Sequence, residues 1–168
     1  MAQFWAMCVL KAGPQDLPAS HFLAMATSLV YTFLSVVFYL DRLKFTTALA
    51  AGIVDFALMA VLSYLILWVR LLGSRWLQTL TALAGTGIIL TIIALVIEYS
   101  LAFLPNVQVA ADLVSIFGIV QLAWSAVIIS HILRHALSVR PLLAAVFTAV
   151  YIYIALNVIR TLFFFVSE

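Results

Sequence analysis

A few polar side chains lie deep inside long apolar stretches, and they are the residues of this chain that could do chemistry. Asp55, Gln121 and Asn157 each have apolar neighbours on both sides in the sequence, and Arg160 follows Ile159 near the end of the last apolar stretch. An unpaired carboxylate in a bilayer costs several kcal/mol or takes up a proton. Asp55 is therefore expected to face other protein groups, either as a structural brace or as an ion, proton or substrate site.

Five apolar stretches contain these residues, at 19–40, 46–69, 77–97, 111–133 and 141–166. A run of about 18 apolar residues is long enough to cross a bilayer as a helix. Of the 168 residues, 67% are hydrophobic and only 8% are charged, which is too few charges to cover the surface of a soluble domain. The sequence therefore predicts an all-α fold, a polytopic membrane bundle of five transmembrane helices over residues 19–168.

The first 18 residues form a separate N-terminal segment. Ten residues cannot cross about 30 Å of hydrocarbon as a helix, so residues 2–11 are predicted to lie along the membrane interface. Phe4 and Trp5 would anchor this short interfacial helix in the headgroup layer. Ser20 is placed to cap the first span.

The basic residues predict the orientation. With five spans, the N-terminal side holds five basic residues and the opposite side holds two, Arg42 and Lys44. Basic residues favour the cytoplasmic side, so the N-terminus is expected in the cytoplasm and the C-terminus outside. The expected cytoplasmic interface consists of Lys11, Arg70, Arg75, His131, Arg134, His135 and Arg140.

Comparison of depths predicts a polar layer within the bundle. A helix rises about 1.5 Å per residue, which places Asp55 and Asn157 roughly 14 Å and Gln121 roughly 15 Å from the outer end of their spans. Arg160 lies roughly 9 Å from that end, and its long side chain can extend inward. We expect Asp55 to pair with Arg160, assisted by Asn157. A brace is favoured over an ion, proton or substrate site, because specifying an arrangement is the best-attested role of buried pairs.

Small residues predict where helices approach closely. Glycine allows transmembrane helices to pack backbone against backbone. The expected packing positions are Gly52, Gly85, Gly87 and Gly118.

No catalytic or metal-binding set emerges from the sequence. His131 and His135 have the four-residue spacing of two metal ligands, but no third ligand is near, so a headgroup contact is preferred and no metal is expected. The serine residues form no set with His and Asp. We expect no cofactor, and the net charge of +2 gives no nucleic-acid footprint.

Two segments resemble the Ypt-interacting protein (Yip) family of five-span membrane proteins. The first is LLGSRWLQTLTALAGTG, from Leu71 to Gly87, and the second is QLAWSAVIISHILRHALSVRPLLAAV, from Gln121 to Val146. The resemblance implies five spans and a cytoplasmic N-terminus. Eukaryotic members carry a long N-terminal region associated with Rab GTPases, whereas about 18 residues precede the first span here. The chain is thus similar to the short prokaryotic members, which implies a bacterial inner membrane.

Two functions follow from these features. The first is a non-enzymatic accessory, scaffold or membrane-organising protein that acts through a membrane protein partner or as a homo-oligomer. The alternative is a small transporter or channel, as a monomer or an oligomer, that uses the polar layer around Asp55. A water-connected cavity at Asp55 favours transport, and a dry packed pair favours the scaffold. A membrane enzyme ranks third, because it would need a metal or cofactor at His131 and His135.

The orientation is testable with reporter fusions. Fusions placed after residue 168 and in the loop at 105–110 should both report the outer side, because the basic residues retain the N-terminus in the cytoplasm. A C-terminal reporter that is active in the cytoplasm would contradict the five-span topology.

Overall fold

The structure, a computed structural model, describes residues 2–163. The end of the predicted fifth span at residue 166 and the C-terminal residue Glu168 lie outside the described residues.

Six α-helices make up the described chain, and it contains no β-strand. Five of them are long and apolar enough to cross a membrane, which confirms the all-α fold of a multi-pass membrane protein. Two single 3-10 turns, Pro14–Asp16 and Gly73–Arg75, lie in the connections. The helices are α1 Ala2–Cys8, α2 His21–Leu40, α3 Phe45–Val69, α4 Trp76–Leu101, α5 Val107–Leu137 and α6 Pro141–Phe163.

The helices α4 and α5 extend beyond the predicted stretches at 77–97 and 111–133. The apolar criterion stops at the first charged residue, whereas the helix continues into the polar interface until a cap ends it. The Asn106 side chain caps the start of α5 by accepting hydrogen bonds from the backbone of Gln108 and Val109. The predicted Ser20 cap is confirmed, because its hydroxyl accepts a hydrogen bond from the Leu23 amide at 3.3 Å.

The helix α4 is the centre of the bundle and packs against α1, α2, α3 and α5. The α2–α3 hairpin lies on one side of it. The α5–α6 hairpin lies on another and joins the bundle through α5 on α4 and α6 on α3. Half of the residues in the most apolar stretch of α4 are buried inside the bundle, whereas 6% of those in the corresponding stretch of α5 are buried. The large apolar side chains that α5 leaves exposed are those expected of a surface that faces lipid.

Glycines on α3 and α4 lie where neighbouring elements approach most closely. A Cβ atom added to Gly52 would lie 2.5 Å from the Val36 side chain of α2. On α4, a Cβ at Gly85 would lie 2.4 Å from the Phe4 ring, and one at Gly87 would lie 2.6 Å from the Tyr31 ring. These two glycines therefore admit one aromatic ring each, on opposite faces of the same helix.

Gly118 differs from its predicted packing role. A Cβ atom there would meet no other atom within 4 Å. The residue lines an open space inside the bundle, so no helix packs against it. A glycine in the sequence indicates that close approach is possible, but the neighbouring helix decides whether it occurs.

The predicted short N-terminal helix is present, but it packs into the bundle. Phe4, Met7 and Cys8 are buried in one cluster with residues of α4 and α5 such as Leu83 and Ile128. Phe4, expected in the headgroup layer, instead lies on Gly85, nine residues and roughly 14 Å along α4. The reason is the run of small residues on α4 around Ala82, Ala84 and Gly85, which leaves room for the ring.

Cys8 is a natural reporter of this packing, because it is the one cysteine in the chain and is buried. Burial raises the pKa of its thiol to about 11. The thiolate is the reactive form, so the cysteine should react very slowly with maleimide at neutral pH. Its reaction rate therefore measures how often α1 leaves the bundle.

Gly85→Ala should release α1, because the new methyl group and the Phe4 ring cannot occupy the same space. We expect a loss of about 1–3 kcal/mol in the free energy of unfolding, the range for an overpacked core. Maleimide labelling of Cys8 should become faster in the same variant. Gly118→Ala is the matched control, since its methyl group enters open space, and it should leave both quantities near those of the wild type. Equal labelling rates in the two variants would contradict the packing of Phe4 on Gly85.

Candidate functional site

Asp55 lies near the middle of α3 and accepts hydrogen bonds from two hydroxyl groups of α2. The Tyr31 hydroxyl donates to Asp55 Oδ2 at 2.7 Å, and the Ser35 hydroxyl donates to the same oxygen at 3.3 Å. Tyr31 and Ser35 are four residues apart, which puts them on one face of α2. The carboxylate thus links α3 to α2, the two helices of the first hairpin, near the middle of the membrane.

Gly87 fixes the position of the Tyr31 ring. The ring lies so close to the α4 backbone that a side chain at this position would overlap with it. The glycine therefore lets the ring lie between α4 and α3 with its hydroxyl directed at Asp55. Three helices take part in holding the carboxylate, although only two contribute to its hydrogen bonds.

The predicted partners of Asp55 are corrected. Within residues 2–163 its carboxylate accepts hydrogen bonds from Tyr31 and Ser35, and no ion pair includes it. Asn157 is exposed and donates from its amide to the Tyr153 carbonyl at 2.8 Å. Arg160 is also exposed on α6. The predicted pairing of Asp55 with Arg160 and Asn157 is therefore replaced by pairing with α2.

The direction of the α6 side chains explains this difference. Four α6 residues line the cavity beside Asp55, namely Tyr151, Ile152, Ala155 and Leu156. At about 100° per residue, Asn157 points about 120° away from Tyr151 and Arg160 about 180° away. Depth along a helix matched these residues to Asp55, but the side chains leave α6 in other directions.

A cavity of about 580 Å³ lies beside Asp55 and is lined by residues of all five long helices. Its walls combine apolar side chains with several hydroxyl, amide and carboxylate groups. The polar residues that line it include Tyr31, Asp55, Thr91, Ser115, Gln121 and Tyr151. The structure thus brings together two of the four residues of the predicted polar layer, Asp55 and Gln121.

Gln121 lines this cavity, and its side chain is held by α4. Its amide nitrogen donates to the Leu90 carbonyl of α4 at 3.0 Å, which fixes the side chain. Its Oε1 atom is buried and has no hydrogen-bond partner among the described residues. Buried polar atoms are nearly always paired, so this oxygen is an exception within the bundle, and its burial shields it from the cavity as well.

The two ends of the cavity differ. At one end lie Arg42 and Glu98, which form an ion pair between the α2–α3 turn and α4. The Arg42 guanidinium also lies over the Phe38 ring, 5.1 Å from its centre. At the other end lie Met59 and Ile128, which belong to the buried cluster around α1. The cavity thus reaches the Arg42–Glu98 end of the bundle and is closed off from the other end by α1.

The basic end of the bundle, defined by Lys11, Arg70, Arg75, Arg134 and Arg140, holds the N-terminal segment. His131 and His135 were expected to contact headgroups, but they contact this segment instead. His131 Nε2 donates to the Ala12 carbonyl at 3.0 Å, and the Gln15 amide lies 3.5 Å from His135 Nδ1.

Arg75 ties the same end together. It donates to the Ala136 carbonyl at 3.0 Å and to the Ser138 hydroxyl at 3.1 Å, where α5 ends. The other four basic residues of this end are exposed.

Tyr31, Ser35 and Tyr151 are site residues that the sequence did not single out. The signal for the first pair was present, because Tyr31 lies nine residues from the end of α2, at nearly the depth of Asp55. Two hydroxyl groups with four-residue spacing at that depth predict a polar face on the neighbouring helix. Nothing in the sequence distinguishes Tyr151 from Tyr153, which is exposed on the outside of α6.

Comparisons of this chain with protein-family models, with characterised proteins and with solved structures found no match. The resemblance to the Yip family therefore stays a prediction, and the function is argued from the site alone.

Tyr31→Phe should lower the free energy of unfolding in detergent by about 1–3 kcal/mol, because it removes a donor from a buried carboxylate. Tyr153→Phe is the matched control, since Tyr153 is exposed and lies outside the cavity. Tyr31→Phe should cost less stability in an Asp55→Leu background than in the wild type, because that background has no carboxylate to accept the hydrogen bond of the Tyr31 hydroxyl. Equal losses in both backgrounds would show that Tyr31 stabilises the bundle by packing alone.

Proposed function

We propose that this protein is a small membrane transporter that binds its solute in the Asp55 cavity. The observation that carries the proposal is a carboxylate at mid-membrane that faces an internal cavity and forms no ion pair within residues 2–163. Ionisable groups within transmembrane segments usually mark ion, proton or substrate pathways. A brace would instead bury the carboxylate against a cation in a packed interface.

The difference between the two ends of the cavity supports transport over a permanent channel. Toward the basic end, α1 and the core around it separate the cavity from solvent. Toward the opposite end, the cavity is bounded by one ion pair whose side chains are partly exposed. An ion pair of this kind is worth about 0–1 kcal/mol, so thermal motion can open it. A transporter needs such a difference between its two ends, because it must open them in turn.

The accessory or scaffold function is the second candidate. It is favoured by a groove of about 330 Å³ between α5 and α6, which is lined largely by small residues. Small residues permit the close approach of another transmembrane helix, so a membrane protein partner or a second copy of the chain could pack there. The lining residues include Ala126, Ser130, Ala145, Thr148 and Ala149.

Neither candidate is an enzyme, and both place the N-terminus in the cytoplasm of a bacterial cell with the protein in the inner membrane. This localisation rests on the distribution of basic residues and on the Yip resemblance. The exposed basic residues at one end of the bundle support the same orientation.

Cysteine accessibility tests the proposed function. In a Cys8→Ala background, a cysteine at Gly118 would line the cavity, whereas a cysteine at the neighbouring Ile119 would lie on an exposed apolar face. The two positions differ in depth by about 1.5 Å, so they form a matched pair. We expect a water-soluble methanethiosulfonate to react with Gly118→Cys and not with Ile119→Cys, because a thiol in hydrocarbon forms no thiolate.

The side from which the reagent enters separates the two functions. In sealed vesicles of either orientation, a transporter should allow Gly118→Cys to react from both sides, since each end opens in turn. Protection of Gly118→Cys from both sides would contradict transport and favour the scaffold. Access from one side alone would identify a binding pocket without transport, and it would also contradict the proposal.

A further inference from the structure

We infer that the solute of the Asp55 cavity is a protonated amine, an organic cation that carries N–H donors. This inference rests on the proposed function and names its substrate class. It follows from what the cavity wall offers a ligand, which is acceptors, negative charge and aromatic faces.

Asp55 offers the cavity an acceptor that the protein does not satisfy. The hydrogen bonds that reach Asp55 go to Oδ2, so the other carboxylate oxygen receives none from residues 2–163. A hydrogen bond to a charged group is among the stronger ones, and a ligand with N–H donors would supply it to this oxygen.

Several of the donors in the wall are already committed. The hydroxyl groups of Tyr31 and Ser35 donate to Asp55, and the Gln121 amide donates to Leu90. Among the described residues, the guanidinium that lines the cavity belongs to Arg42, which is paired with Glu98. An anion would therefore face the Asp55 carboxylate with no unpaired cation beside it, whereas a cation would neutralise that carboxylate.

The shape and lining of the cavity favour an organic cation over a bare metal ion. Within residues 2–163, no group of three His, Cys, Asp or Glu residues gathers to hold a metal. The wall also includes the rings of Tyr31, Phe117 and Tyr151. Aromatic faces attract ammonium groups by cation–π interaction, and their apolar area suits a hydrocarbon substituent. A volume of about 580 Å³ leaves room for an organic amine.

The test compares four small aromatic compounds that differ in charge and in the number of N–H donors. Benzylamine, which is protonated at neutral pH, is compared with benzyltrimethylammonium, benzyl alcohol and benzoate. Binding to the full-length protein in detergent is measured by calorimetry. We expect benzylamine to bind most tightly, benzyltrimethylammonium more weakly because it lacks N–H donors, and benzoate not at all.

Substitution of Asp55 assigns the binding to the cavity. Asp55→Asn should weaken benzylamine binding by roughly 30-fold or more, since it removes one partner of a buried charge pair. Asn157→Met is the matched control, because Asn157 is exposed outside the cavity, and it should leave the affinity unchanged.

The outcomes separate this inference from the proposed function. Benzoate or benzyl alcohol binding that equals benzylamine binding and depends on Asp55 would overturn the amine class and leave the transport site standing. The absence of binding by all four compounds, with Gly118→Cys still labelled from both sides, would also overturn the amine class alone. Protection of Gly118→Cys would instead overturn the proposed function.

Discussion

A carboxylate in the middle of a membrane bundle must be given hydrogen-bond donors, because lipid offers none. In this protein the Tyr31 and Ser35 hydroxyls of α2 supply them to Asp55 of α3. That requirement sets the register of the first hairpin. It also accounts for Gly87, which gives the Tyr31 ring its place against α4. The packing of three helices is thus organised around one polar group whose burial would otherwise be unfavourable.

The same helices leave a space on the other side of Asp55. The α5–α6 hairpin joins the bundle through α5 on α4 and α6 on α3, and a cavity remains between these contacts. The α1 helix fills the basic end of the bundle with Phe4, Met7 and Cys8, so the cavity is closed there by apolar packing. The opposite end is held by the Arg42–Glu98 ion pair. This asymmetry is the basis on which we propose a solute site in place of a brace.

The sequence was sufficient for the architecture, because span length and apolarity are nearly independent of tertiary contacts. Five helices are long and apolar enough to cross a membrane, as predicted, and three of the four glycines chosen for packing lie against a neighbouring side chain. It was also sufficient to select Asp55 and Gln121, since depth follows from counting residues along a helix.

The direction of each side chain around its helix could not be predicted in the same way. Asn157 and Arg160 had the right depth but point away from the cavity, whereas Tyr151 faces it. The rotation of α6 depends on how it packs against α3 and α5, and the sequence of α6 alone does not give that packing. The inward packing of α1 was missed for a similar reason. Its apolar residues suit a membrane interface and a protein groove equally well, and the groove is formed by small residues of α4 far away in the sequence.

The central claim is that Asp55 is a site carboxylate beside a cavity and not half of a structural charge pair. The most direct test is the free energy of unfolding of Asp55→Asn, measured in detergent against the wild type. The amide oxygen can still accept from Tyr31 and Ser35, while the cost of burying a charge disappears. The account therefore predicts a stability equal to or greater than that of the wild type, as is common when an active-site group is neutralised. A loss of about 3–5 kcal/mol, the range for breaking a buried ion pair, would contradict it.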